Sequence, residues 1–257
     1  MKAYPTKSSG NARSTSVAVY AQAFTFFALA FAFFATTGCK SSNKPESGSD
    51  KPSGTTFTQE ELLILNQSDS VMYLTVVTDK SDSLILRKVS RDLTQEELES
   101  PEAATLARNL LATVRDPSQD GVGISSPQVG LNLRMLALMR YDREGRPLQV
   151  YANVHIDSLF TNVVKGPEGC LSIPNYRGVV PRADSIIVSY FDFQTKQFKK
   201  DTVGGYTAII FQHETDHLEG ILYTDRADTV FFNQAWADER KLYEQQGAYT
   251  KPSWWPY

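Results

Sequence analysis

Two histidines four residues apart, in Gln212-His213-Glu214-Thr215-Asp216-His217-Leu218, place the tightest constraint on how this chain folds. Residues 205–218 carry apolar positions at helical spacing, and Gly220 stands where a helix stops. On a helix, residues i and i+4 share a face one turn apart. Both imidazoles then reach one point in space, and Glu214, beside the first of them, can face a water held there. Paired histidines also occur on helices as exposed or core-satisfied side chains. This chain, however, has three histidines in all and spends two of them here.

An ion that does chemistry takes three protein ligands and keeps one position open. Glu219, Glu239 and Glu244 follow the helix and remain available. Cys170, in Glu168-Gly169-Cys170-Leu171-Ser172-Ile173-Pro174, is the better third ligand, because a thiolate with two imidazoles leaves a tetrahedral position for water. The one other cysteine is Cys39. Two cysteines in an exported chain ordinarily suggest a disulfide, but the position of Cys39 argues against one.

Lys2, Lys7 and Arg13 precede an apolar run over residues 17–35, which leads to Thr36-Thr37-Gly38-Cys39. A positive start, an apolar core and small residues form an export signal. Small residues before a cysteine resemble the lipobox of bacterial lipoproteins, in which that cysteine is lipidated; Thr36 departs from the aliphatic residue usual there. The competing reading is an uncleaved membrane anchor. Residues 40–56 are rich in Ser, Lys, Gly and Pro and read as a flexible tether, so the expected division is 1–39 signal, 40–56 tether and 57–257 a single globular domain. The composition is 41% hydrophobic with a formal net charge of -3, which supports one core and lacks the basic excess of a nucleic-acid binder.

Within the domain, residues 94–114 predict one helix opened by a Thr94/Glu97 capping box. The apolar stretches 62–65, 71–78 and 84–89 precede it. Strand-like runs follow at 135–139, 149–153, 158–164 and 186–193, and a last amphipathic helix is expected over 228–244. The fold class is therefore α+β, with largely antiparallel or mixed sheets around a central helix that carries the metal motif.

Three separated segments then resemble the peptide deformylases: Gly121-Val122-Gly123-Ile124-Ser125-Ser126-Pro127-Gln128, Glu168-Gly169-Cys170-Leu171-Ser172, and Gln212 through Gly220. The resemblance extends over about residues 72–226, including Leu86-Arg87-Lys88, the stretch 174–182 and Leu222-Tyr223-Thr224-Asp225-Arg226. It implies removal of the formyl group from N-formyl-methionyl peptides, a step of protein biosynthesis that releases formate. It also implies one divalent ion, natively ferrous iron and replaceable by zinc or nickel, on Cys170, His213 and His217. Glu214 is then the acid and base, and the Gln128 side chain and Leu171 N–H are the oxyanion donors. For the substrate the resemblance implies Val122, Glu168, Tyr206, Ile209 and Ile210 against the methionine side chain, Gly123 pairing its backbone, and Arg177 at the mouth.

The chain departs from the family in Ile124-Ser125-Ser126, where Leu-Ala-Ala is commoner, in Tyr206, where an aliphatic residue is usual, and in Val154, where proline follows Asn153. These hydroxyls and the tyrosine are expected to narrow or polarise the substrate pocket. His155 has no motif around it and reads as a surface or strand residue. A monomer is expected, membrane-anchored in the cell envelope through Cys39 and facing the periplasm or outside. Deformylation belongs to nascent chains in the cytoplasm, and a start at Met72 would put the protein there; the coherent leader argues against that start. Two other functions fit the same residues: an envelope-anchored peptide-binding lipoprotein, and a general peptide metallohydrolase, which the cysteine ligand disfavours.

Overall fold

The computed structural model describes residues 57–119 and 121–257. The signal, the tether and Cys39 lie outside the described residues. Four helices come first: α1 (Gln59–Gln67), α2 (Lys80–Leu86), α3 (Gln95–Glu99) and α4 (Pro101–Arg115). Then follow β1 (Gly123–Ser125), a 3-10 turn at Ser126–Val129, β2 (Met135–Met139), β3 (Leu148–Leu159), β4 (Val163–Cys170), β5 (Ile173–Ala183), β6 (Ser185–Asp192) and β7 (Gln197–Gly204). The chain closes with α5 (Gly205–Leu218), α6 (Tyr223–Arg226), β8 (Thr229–Phe232) and α7 (Gln234–Glu244).

Five strands pair in the order β1-β2-β3-β6-β7 and three in the order β4-β5-β8, all antiparallel. The α+β class with antiparallel sheets is as expected. Strand β2 shows how the core forms. Its Met135 and Ala137 join one apolar cluster with Leu106, Leu110 and Val114 of α4, whereas Leu136 and Leu138 join another with Ala208, Ile210 and Phe211 of α5. Helices cover both faces of the strand, so its five residues read as a continuous apolar run rather than an alternation.

The helix expected over 94–114 is two helices. Thr94 does make the reciprocal capping box with Glu97, but Pro101 forces Ser100 out of the helical region (φ -73, ψ 155), and Ser100 then caps α4 through the N–H of Ala103. The strand expected over 158–164 is also two. β3 ends at Leu159 and β4 begins at Val163, which is where the chain leaves the larger sheet for the smaller. The last helix begins later than expected, after the Asn233 cap, because residues 229–232 are β-branched and aromatic and pair with β5 instead. The stretch 71–78 forms no strand; its backbone donates from Thr75 to Gln128 O and from Val77 to Ser172 O, joining the 3-10 turn to the β4–β5 turn. The stretch 84–89 is the end of α2 and the turn after it. Among the described residues no helix is long and apolar enough to cross a membrane.

Candidate active site

Helix α5 starts at Gly205, in the left-handed region (φ +62), and ends where Gly220 (φ +70) turns the chain away, matching the limits read from the sequence. Ten of its fourteen residues are buried, and its end places His213 and His217 against the tight β4–β5 turn. Cys170 and Ile173 pair across that turn, so Leu171 and Ser172 form its tip. Cys170 Sγ lies 3.2 Å from His217 Nε2, and one ligand atom each from Cys170, His213 and His217 fall within 4.8 Å of one another. One ion with bonds of about 2.0–2.3 Å suits that span and donor set. The competing carboxylates are committed elsewhere: Glu219 pairs with Arg134 at 2.6 Å and Glu244 with Arg240 at 3.0 Å, and neither they nor Glu239 join the cluster.

The ring of His213 is oriented from behind. Glu168 Oε2 lies 2.8 Å from its Nδ1, and the same carboxylate accepts from Arg182 at 2.8 and 3.0 Å. Arg182 reaches on to Asp216 at 2.5 Å, which Arg226 holds from outside at 2.7 Å. Burial would raise the Glu168 carboxyl, but the hydrogen bonds from His213 and Arg182 prevail and hold it at about 2. Burial, reinforced by the neighbouring His213, holds His217 well below its ordinary value and so keeps it in the neutral form that ligates. For His213 burial acts downward too, but the acceptors Cys170 and Glu168 push it well above the ordinary value. A histidine ligates in its neutral form, so binding of an ion works against this shift.

Glu214 is buried beside these ligands, and burial raises its carboxyl above the ordinary value, with His213 and Ser125 acting the other way. Gln128 is held with its amide oxygen accepting the Ser125 N–H at 2.8 Å, which turns Nε2 toward Cys170 Sγ at 3.6 Å and Ser172 Oγ at 3.3 Å. A cavity of about 310 Å³ opens over this group. All ten of Val122, Gly123, Gln128, Glu168, Leu171, Arg177, Tyr206, Ile209, Ile210 and Glu214, singled out from the sequence, line it, along with Cys170 and His213. Ile210 is at the same time part of the apolar cluster beneath α5. Tyr206 packs edge-on to Tyr141 at 5.0 Å on the open side.

Ser125 does not act on the substrate pocket as expected. It is fully buried, outside the cavity lining, and its hydroxyl lies 2.5 Å from Glu214 Oε2. Ser126 is likewise turned inward, donating to the main chain of Leu133 and Met135. Sequence reasoning missed Arg182, Asp216 and Trp236. Asp216 sits inside the histidine motif and Arg182 closes a resembling stretch, so each was visible without a role. Trp236 lies against Gly169 and Arg177 from α7, and nothing local marks it. His155 is an exposed residue of β3 paired with Asp92 at 3.0 Å.

The chain is similar in sequence and in fold to known proteins. The family model described as polypeptide deformylase matches residues 73–231. A peptide deformylase of Leptospira biflexa is 34% identical over 149 residues, covering 55% of this chain and 82% of its own length. Peptide deformylase 2 of Nostoc sp. is 40% identical over 131 residues, covering 48% of this chain and 71% of its own. Among solved structures, the actinonin-bound class I type b peptide deformylase of Acinetobacter baumannii superposes with a TM-score of 0.54 at 31% identity, over 62% of this chain and 99% of the other.

Proposed function

Because the chain belongs to the polypeptide deformylase family, we propose that this site hydrolyses N-formyl-methionyl peptides to formate and a free N-terminus. The observation that carries the reading is the cluster of Cys170, His213 and His217 beside a cavity that Cys170 and His213 line together with the buried carboxylate of Glu214 and the amide of Gln128. Helix α5 is, in this reading, the central metal-holding element of a single catalytic domain. A divalent ion on those three ligands, natively ferrous iron with zinc or nickel as substitutes, supplies the Lewis acidity that makes water in the cavity acidic enough to lose a proton.

The residues of the chain do the rest. Glu214 takes the proton from the attacking water and returns it to the departing amine, a role worth on the order of 10²–10⁴ in rate. Its raised carboxyl suits a group that must both accept and donate. The Gln128 Nε2 and the Leu171 N–H donate to the oxygen on which charge develops, each such donor being worth on the order of 10²–10³. Val122, Ile209 and Ile210 supply apolar walls for the methionine side chain, Gly123 lets the peptide backbone approach, and Arg177 and Tyr206 frame the mouth. Glu168 lines the same cavity, with its charge engaged by His213 and Arg182.

The leader adds a location. The apolar run 17–35 and the small residues before Cys39 support an exported protein, held to the cell envelope by lipid on Cys39 and acting as a monomer on peptides outside the cytoplasm. The test of the activity is formate release by the purified protein, loaded with iron anaerobically and given formyl-Met peptides beside their N-acetyl counterparts. Formate from the formyl peptides alone is expected. Cleavage at an internal peptide bond would make it a general metallohydrolase, and binding without turnover a peptide-binding lipoprotein.

A further inference from the structure

We propose that Ser125 is the positioning residue of the general base: its hydroxyl anchors Glu214 Oε2 to β1, and Oε1 is thereby left as the oxygen that works at the cavity. The two carboxylate oxygens have different surroundings. Oε2 meets the Ser125 hydroxyl at 2.5 Å, the shorter of that hydroxyl's two contacts with Glu214, the other being to its main-chain oxygen at 2.9 Å, at a residue with no exposed surface. Oε1 lies against Gly123, where an added Cβ would stand 2.5 Å from it, and Gly123 lines the cavity while Ser125 does not. One edge of the carboxylate therefore points into the protein and the other along the cavity wall.

In this chain, which carries Ser125 where Ala is commoner in the family, the hydroxyl has a physical role as an anchor. The last torsion of a glutamate is broad and nearly two-fold, so its rotamer does not say which oxygen faces which way. Burial removes the water that would otherwise solvate Oε2, and a buried carboxylate oxygen without a donor is costly. The serine hydroxyl is a donor on a short, stiff side chain fixed in a strand. The main chain of Ser125 meanwhile holds Gln128 through the bond to its Oε1 at 2.8 Å, so a single residue sets the base with its side chain and an oxyanion donor with its N–H. Ala in this position would preserve the bond to Gln128 and lose both hydroxyl contacts with Glu214.

The inference rests on the deformylase reading, and its test separates the two. Ser125→Ala, measured in the metal-loaded protein, should lower kcat by about tenfold, the order expected for a lost hydrogen bond to a charged group, and leave KM and metal content nearly unchanged. In a Glu214→Gln background the same substitution should cost nothing further, because the group it positions is already disabled. Wild-type kcat in Ser125→Ala, or an equal loss in both backgrounds, overturns the assignment. If the wild-type protein itself releases no formate, the deformylase reading fails. A crystal structure of Ser125→Ala then decides the positioning role alone: a carboxylate turned away from β1 supports it, and Glu214 in its present orientation overturns it.

Discussion

Glu168 lies 2.8 Å from Nδ1 of His213, one of the three residues whose ligand atoms cluster. Carboxylate partners of this kind fix the ring and its tautomer, and they raise its basicity toward an ion. Glu168→Gln keeps the shape and one acceptor but removes the charge that faces both His213 and the buried Arg182. Metal affinity, read by competition with a chromophoric chelator, should fall on the order of 10- to 100-fold. Unchanged affinity would mean that Cys170 and the two histidines orient themselves without it.

Two substitutions separate the base from the space it occupies. Glu214→Gln should retain the metal and lose on the order of 100-fold or more in formate release, since an amide cannot take the proton. Gly123→Ala should also retain the metal, because its added carbon would sit 2.5 Å from Oε1 and 3.0 Å from Cδ of Glu214 and so displace the carboxylate rather than a ligand. We expect a loss in kcat of about tenfold or more from that displacement, as the base must lie within hydrogen-bond reach of its proton. Full activity in Gly123→Ala would show that Glu214 works from another orientation.

Much of the site was readable because its chemistry is local. The limits of α5 follow from an apolar helical run stopped by Gly220, the two histidines follow from their spacing, and the full trio with Cys170 was implied by the family resemblance. The Ser100-Pro101 break in the first long helix was equally local, and apolar periodicity outweighed it wrongly: Pro101 opens α4 well, but it cannot follow a residue that continues α3. The partners of Ser125, Arg182 and Trp236 were not readable, because each lies tens of residues away or in another element. Ser125 meets Glu214 across 89 residues of chain and Arg182 meets Asp216 across 34. A serine on a short glycine-rich strand carries no mark of which way it turns, and the pocket reading failed for that reason.

Acid should weaken one link beside the start of α5 in a defined way. Asp142 accepts from Arg140 Nε and Nη2 at 2.8 and 2.7 Å, and those bonds hold its carboxyl below the ordinary aspartate value. A carboxyl depressed in the folded state stabilises fully above its unfolded pKa of about 3.9, and that contribution disappears as pH falls through the depressed value. Asp142→Asn should therefore be less stable than wild type at pH 7, by about 1.5–3 kcal/mol. The gap should begin to narrow below about pH 4 and be gone once pH has passed the depressed value. Denaturant titrations across that range check it, and a gap that persists at low pH would tie the loss to geometry rather than charge.

The leader makes a separable claim. If Cys39 carries lipid, the protein should partition with membranes and take up a fatty-acid label, and Cys39→Ser should abolish the label without altering activity. Stable anchoring needs more than one acyl chain, which the diacylglycerol added to such cysteines supplies. Unlabelled protein in the soluble periplasmic fraction would indicate plain cleavage at the small residues, and cytoplasmic protein beginning at Met72 would overturn export.

The aromatic end of the chain acts as a strap over the motif that holds Gln128. Gly130, directly after the 3-10 turn, has φ +86, and a Cβ there would stand 2.5 Å from the Trp255 ring. Trp255 is buried, packs edge-on to Tyr73 at 4.9 Å, and belongs to the cluster that includes Ile64, Ile124 and Val129. Lys251 fastens the segment by pairing with Asp82 at 3.1 Å, an aspartate with no exposed surface. Trp255→Ala removes a large ring that nothing nearby replaces, so a loss of about 3–5 kcal/mol is expected in a denaturant titration. Because the strap bears on the turn carrying Gln128 and on none of the metal ligands, kcat should fall while metal content at saturation holds. Gly130→Ala should do the same through strain and collision, costing at least about 1 kcal/mol for the left-handed backbone alone. A Trp255→Ala protein with wild-type stability would show that the tail merely rests on the domain, and one with lost metal but intact stability would place its action on α5 instead.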